Sequence, residues 1–157
     1  IGRVDNVRPN ESILSPHYNT LSKLNCILAS IEANKHGYDE GIMNDINGNI
    51  STCNSTNLFF VQDNKVITSN GEYCLNGITR GKTIQLCHEN NIQCNEMNFT
   101  FEDIRKCDEA FVTGTFAGVI PVSKLEGKKL DSTNSESLVK KIRFLYNKHI
   151  ENYIRSS

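Results

Sequence analysis

No apolar run in these 157 residues approaches the roughly 20 residues that a membrane-spanning helix needs. A formal net charge of -1 leaves no basic footprint for nucleic acid. The start, Ile1-Gly2-Arg3-Val4-Asp5, has no basic segment followed by an apolar one, so it does not read as a signal peptide. It also lacks an initiator Met, and the chain is expected to be a piece of something longer. There is no Cys-x-x-Cys pair: Cys26, Cys53, Cys74, Cys87, Cys94 and Cys107 are scattered. They read as reduced, partly buried thiols of an intracellular protein, and the expected location is cytoplasmic. His17, His36, His88 and His149 make no metal-ligand spacing with them. No Ser-His-Asp arrangement can be argued, and there is neither an internal repeat nor a low-complexity segment. Asn-x-Ser/Thr triplets at Asn10, Asn49, Asn54 and Asn98 are expected by chance in so Asn-rich a chain.

What is present reads as one soluble domain, residues 1–157, with enough chain for a real core. Residues 1–16 are broken by Pro9 and Pro16. Leu21, Leu24, Ile27, Leu28 and Ile31 recur at helical spacing, so a helix is expected over 21–36 with its apolar face in the core and Gly37 at its end. Strands follow at 41–44, 50–52, 58–62 and 65–68, with Asn47-Gly48 as a hairpin turn. A second helix is expected from Gly77 to about 89, a strand at 92–96, and a short helix at 101–106 capped by Thr100 and Asp103. Strands at 109–113 and 119–125 and a last helix over 136–154 complete an α+β pattern: a curved or barrel-like sheet with flanking helices.

Asn76-Gly77-Ile78-Thr79-Arg80-Gly81 lies between a strand-like and a helix-like run. Gly77 permits a tight turn through positive φ. The amides of Ile78 and Thr79 then fall at the first turn of a helix, where free N–H groups and the helix dipole favour an anion. The same pattern also serves as an ordinary helix cap, and the local residues leave both readings open.

Several segments together carry a resemblance: Ile31-Glu32-Ala33 leading to Gly37-Tyr38-Asp39-Glu40-Gly41, then Asn57-Leu58-Phe59, Leu75-x-Gly77-Ile78-Thr79-Arg80, Asp108-Glu109-x-Phe111-x-Thr113-Gly114-Thr115 and Ile120-Pro121-Val122. In this order they resemble the fold-type IV pyridoxal-phosphate enzymes, the class that includes branched-chain and D-amino-acid aminotransferases and aminodeoxychorismate lyases. The resemblance runs from about Asn19 to Gly127 and covers that class's large C-terminal domain; its smaller N-terminal domain is absent here. It implies pyridoxal 5'-phosphate as cofactor, held at the phosphate by Ile78, Thr79, Gly114 and Thr115, with Arg80 structural and 113–117 near the substrate carboxylate. It implies amino-acid transamination of the branched-chain kind, with amino acids and 2-keto acids as substrates and a homodimer as assembly.

Two positions depart from the pattern. The Schiff-base lysine of the family falls at Asn19 here, and its carboxylate partner to the pyridine nitrogen at Thr52. Asn cannot hold the cofactor aldehyde, and Thr cannot keep a proton on the ring nitrogen as a carboxylate does. Lys23, four residues after Asn19, is expected one helical turn along the same face and is the candidate for the lysine role; a solvated lysine on an amphipathic helix is the other reading. Within the resemblance, aminodeoxychorismate-lyase-like chemistry and a catalytically inactive relative that binds cofactor or a protein partner stand as alternatives.

Overall fold

The apolar runs and turn residues in the middle of the chain fold as strands, and the computed structural model, which describes residues 1–156, sets them into open sheets flanked by helices. In chain order the elements are β1 (Gly2–Arg3), α1 (Leu24–Lys35), β2 (Gly41–Asn44), β3 (Ile50–Cys53), β4 (Asn57–Gln62), β5 (Lys65–Thr68), α2 (Ile78–Glu89), β6 (Cys94–Glu96), α3 (Phe101–Ile104), β7 (Glu109–Gly114), β8 (Gly118–Pro121), β9 (Lys124–Leu125), β10 (Lys128–Lys129) and α4 (Leu138–Ser156). Among the described residues no helix is long and apolar enough to cross a membrane.

The main sheet has five strands in the order β6-β5-β4-β7-β8, and a smaller sheet runs β1-β2-β3. Neither closes into a barrel. Strand β4 is central and buried on both sides, which its unbroken Leu58-Phe59-Phe60-Val61 run anticipates. Phe59 and Val61 meet Phe111, Val139 and Ile142 on the side that α2 and α4 cover. Phe59 stacks on Phe111 with ring centroids 4.7 Å apart. Leu58 and Phe60 face the other way, toward Ile42, Ile50, Phe99 and Ile104. The layers are therefore a helix pair, the five-stranded sheet, and the small sheet with α3. Strands β5 and β6 are parallel and joined through α2. Helix α2 thus starts just beyond the carboxyl end of β5, the end of a βαβ unit where ligands gather.

Local chemistry sets the element ends. The Asp45 carboxylate accepts from the N–H groups of Asn47 and Asn49 at 2.8 and 2.9 Å, shaping the 45–49 turn, while Gly48 takes φ +87. Thr100 and Asp103 form the expected capping box of α3.

Helix α1 departs from expectation twice. It begins at Leu24, because Lys23 N–H bonds to the Leu21 carbonyl at 2.9 Å and residues 19–23 are not helical. Its large apolar residues are not core: Leu24, Ile27, Leu28 and Ile31 are 45–67% exposed. The face that packs is the one with small residues. Ala29 and Ala33, a turn apart, let the helix lie close on β2, where a Cβ on Gly41 would be 3.1 Å from the Ala29 carbonyl oxygen.

Candidate active-site cleft

A cleft of about 200 Å³ opens where the start of α1, the β3–β4 turn and the approach to α2 meet. Asn19, Lys23 and Cys26 line one wall, Thr52–Asn57 the other, with Leu75 and Arg8 between. Two of the residues singled out from sequence, Lys23 and Thr52, are thus brought together with Asn19. They do not meet by helical stacking, since 19–23 precede the helix. Lys23 is exposed and stands at the N-cap position of α1.

Thr52 is buried and donates its hydroxyl hydrogen to the Thr56 carbonyl at 2.8 Å. What it offers the cleft is a neutral acceptor, with no charge to hold a proton on a ring nitrogen. Cys53 beside it is pushed well up by burial, so its thiol stays protonated. The turn that follows is pinned from outside: Asn54 accepts from Gly41 N–H at 2.6 Å, and Ser55 bonds to the Glu40 carboxylate.

Arg8 is a cleft residue that sequence reasoning missed. Its Nη1 lies 2.8 Å from Cys26 Sγ and its Nε 3.4 Å from the Tyr73 carbonyl, which Ser51 Oγ also meets at 2.7 Å. Only its place in an irregular, Pro-broken segment was visible beforehand. Arg8 and Lys23 are the charged side chains of the lining, and no carboxylate joins them among the described residues. The cleft is therefore complementary to an anion.

The proposed phosphate segments lie next to this cleft. Helix α2 opens at Ile78, with Gly77 as N-cap and no side chain capping it, so its first-turn amides have no partner within the helix or from a cap residue. Gly77 has φ -61 and ψ 144, so positive φ is not why glycine stands here. The reason is space: a Cβ at Gly77 would come 2.7 Å from Asn57 Oδ1. Ile78 projects its side chain outward at 88% exposure, while Thr79 is buried. Arg80 turns inward, donating to the Ser69 carbonyl at 2.7 Å and to Glu96 at 2.6 Å, and acts structurally as expected.

Gly114 ends β7, and Thr115 is exposed in the turn to β8. Thr113, one residue before Gly114, is 1% exposed and its hydroxyl has no hydrogen-bond partner. It sits opposite Asn57 in the β4–β7 register. Ile78, Thr79, Gly114 and Thr115 are outside the lining of the cleft itself. Asn57, which lines it, connects to both segments: its Nδ2 donates to the Leu75 carbonyl at 2.9 Å, and its strand partner is Thr113.

With this geometry in place, similarity to known proteins is specific. Residues 1–125 match the family model of amino-transferase class IV. Over 140 residues the chain is 34% identical to branched-chain-amino-acid aminotransferase-like protein 2 of Arabidopsis thaliana, covering 89% of this chain and 25% of that protein. It is 32% identical over 123 residues to the branched-chain-amino-acid aminotransferase of Pseudomonas aeruginosa, covering 78% of this chain and 40% of that one. The crystal structure of a branched-chain amino acid aminotransferase from Thermobaculum terrenum in its pyridoxal-phosphate form superposes with a TM-score of 0.90 at 26% identity, covering 95% of this chain and 50% of that one. The chain thus spans half or less of the length of these relatives.

Proposed function

The chain belongs to the class IV aminotransferase family, and from that premise we propose that it is the cofactor-holding part of a pyridoxal-phosphate-dependent amino-acid aminotransferase of the branched-chain kind. The observation that carries this is the meeting of Lys23, Thr52 and Asn57 in one cation-lined cleft beside an uncapped helix start. The fit is argued from these residues. The free amides of Ile78 and Thr79 and the segment Gly114-Thr115 suit a phosphate, and the unpartnered Thr113 hydroxyl lies in the same strand end. Lys23 would supply the amine toward an aldehyde-bearing ligand, and Thr52, across the same cleft, would be the residue near the ring nitrogen.

When bound, pyridoxal phosphate supplies an electron sink for changes at the substrate Cα. The chain's own part is narrower. The α2 amides orient the phosphate, and Arg8 adds positive charge that favours a carboxylate-bearing substrate. Lys23 holds or moves the proton at its Nζ. An amino acid and a 2-keto acid are the substrates in this reading.

The cleft is smaller than the ~300–1,000 Å³ usual for ligand pockets. In this reading the exposed apolar side of α1 and Leu21 lies against the part of the class IV fold that this chain does not span, which would complete the cleft. A homodimer is the proposed assembly.

A second reading has its own support. Asn19 carries no amine and Thr52 spends its hydrogen on a carbonyl, which suits a relative that holds the cofactor without turnover. One experiment separates the two. The intact protein is mixed with pyridoxal phosphate, reduced with borohydride and mapped by peptide mass. Label on Lys23 supports the aminotransferase; label on another lysine removes Lys23 from its role. Binding with no label supports the holder that does not turn over. Product analysis with an amino donor tests the lyase, which would release pyruvate without a keto-acid acceptor.

A further inference from the structure

We infer that Asn57 is a positioning residue that locks the start of α2 against the end of the β4–β7 pair, and that Gly77 is glycine because it is the socket for the Asn57 amide. The inference rests on the phosphate reading above for its ligand, while the lock itself stands on geometry alone. Asn57 is 9% exposed at the first position of β4. Its Nδ2 donates to the Leu75 carbonyl at 2.9 Å, with Cys74 Sγ 3.6 Å away. Its Oδ1 occupies the space of a Cβ on Gly77, 2.7 Å from where that atom would be. One side-chain amide thus grips the turn on both sides of Asn76.

Asn57 and its neighbour Thr56 also reach the second anion segment. Asn57 is paired with Thr113, and Thr56 Cγ2 lies 3.4 Å from a Cβ built on Gly114. Residues 56–57 therefore touch both 74–77 and 113–114. Amides from two chain segments act on one phosphate only if their separation is fixed beforehand, because ordering them on binding would consume the gain. A buried amide that donates to Leu75 and Cys74 and acts as a steric stop sets that separation. A main-chain register alone does not, since 75–77 belong to no strand.

The test is a double-mutant cycle in the intact protein with Asn57→Ala, Gly77→Ala and the pair. Affinity for pyridoxal phosphate is compared with that for phosphate-free pyridoxal, and amide exchange at 75–79 and 113–115 is followed without ligand. Each single change should weaken pyridoxal phosphate by roughly five- to tenfold, leave pyridoxal unchanged, and speed exchange at 75–79. The pair should lose no more than Asn57→Ala alone, because removing the amide makes room for the new Cβ. Additive losses, or an equal fall for pyridoxal, would overturn the lock. Asn57→Asp is the second variant, should Asn57→Ala fail to fold. It keeps the steric stop and loses the donor to Leu75, so faster exchange at 75–77 is expected, and unchanged exchange contradicts the assignment. If the wild type prefers pyridoxal phosphate no more than pyridoxal, the phosphate reading fails. Exchange coupling between positions 57 and 77 would then still uphold the lock, and its absence would remove it.

Discussion

The α2 side and the α1 side of the molecule differ in what covers them. On the α2 side, Phe59, Phe111, Val139 and Ile142 are at most 1% exposed, and Arg80 ties the helix start to Ser69 and Glu96. On the α1 side only Ala29 and Ala33 are buried, and Leu24, Ile27, Leu28 and Ile31 face outward. The residues proposed to hold a phosphate belong to the side with the packed core. Lys23, proposed to do the chemistry, stands on the uncovered side, at the start of a helix with no side-chain cap. In the proposed reading binding and chemistry are therefore separable: one side is packed within these residues, and the other leaves its apolar side chains exposed.

The contrast can be broken most strongly at Phe111. Phe111→Ala removes a ring stacked in the core of the α2 side and should destabilise the fold by about 3–5 kcal/mol in urea unfolding. Arg80→Met should cost less, about 1–3 kcal/mol, since it frees the Ser69 carbonyl but leaves Glu96, 44% exposed, to water. It should also loosen the start of α2, seen as faster exchange at 78–80.

Smaller again is the α3 cap. The Thr100 N–H and hydroxyl hold the Asp103 carboxyl below the usual aspartate value. A lowered folded-state pKa gives stability that is present above the unfolded value and is lost as pH falls through the folded one. Asp103→Ala should therefore cost about 1 kcal/mol at neutral pH, and the difference from wild type should vanish in acid below the carboxylate range. A gap that persists there would contradict the cap.

The smallest effect is expected on α1. Ile27→Ser and Leu28→Ser should change the stability of this chain by no more than about 0.5 kcal/mol, because both side chains are already wet. In the intact protein the same changes should cost several times more if a further surface covers them. Equal effects in both settings would mean that α1 is a free face.

How much of this was legible beforehand depends on range. Local rules placed the 45–49 turn, the Thr100–Asp103 cap and the start of α2, because each rests on residues within a few positions of one another. Hydrophobic periodicity located α1 but read its large apolar stripe as core. Periodicity shows which side of a helix is apolar and says nothing about what lies against it. Gly77 was recognised for a wrong reason, since its backbone is extended and only the distant Asn57 explains it. Arg8 carried no local signal; it joins the cleft through contacts with Cys26 and Tyr73, 18 and 65 residues away.

The central claim is that the start of α2 and the end of β7 form one anion cradle. Backbone amide NMR during titration of the intact protein with pyridoxal phosphate tests it most directly. The account predicts large shifts at Ile78, Thr79, Gly114 and Thr115, small ones across α3 and α4, and reversal by excess inorganic phosphate. Shifts centred elsewhere, or none at Ile78 and Thr79 under saturating ligand, would contradict it.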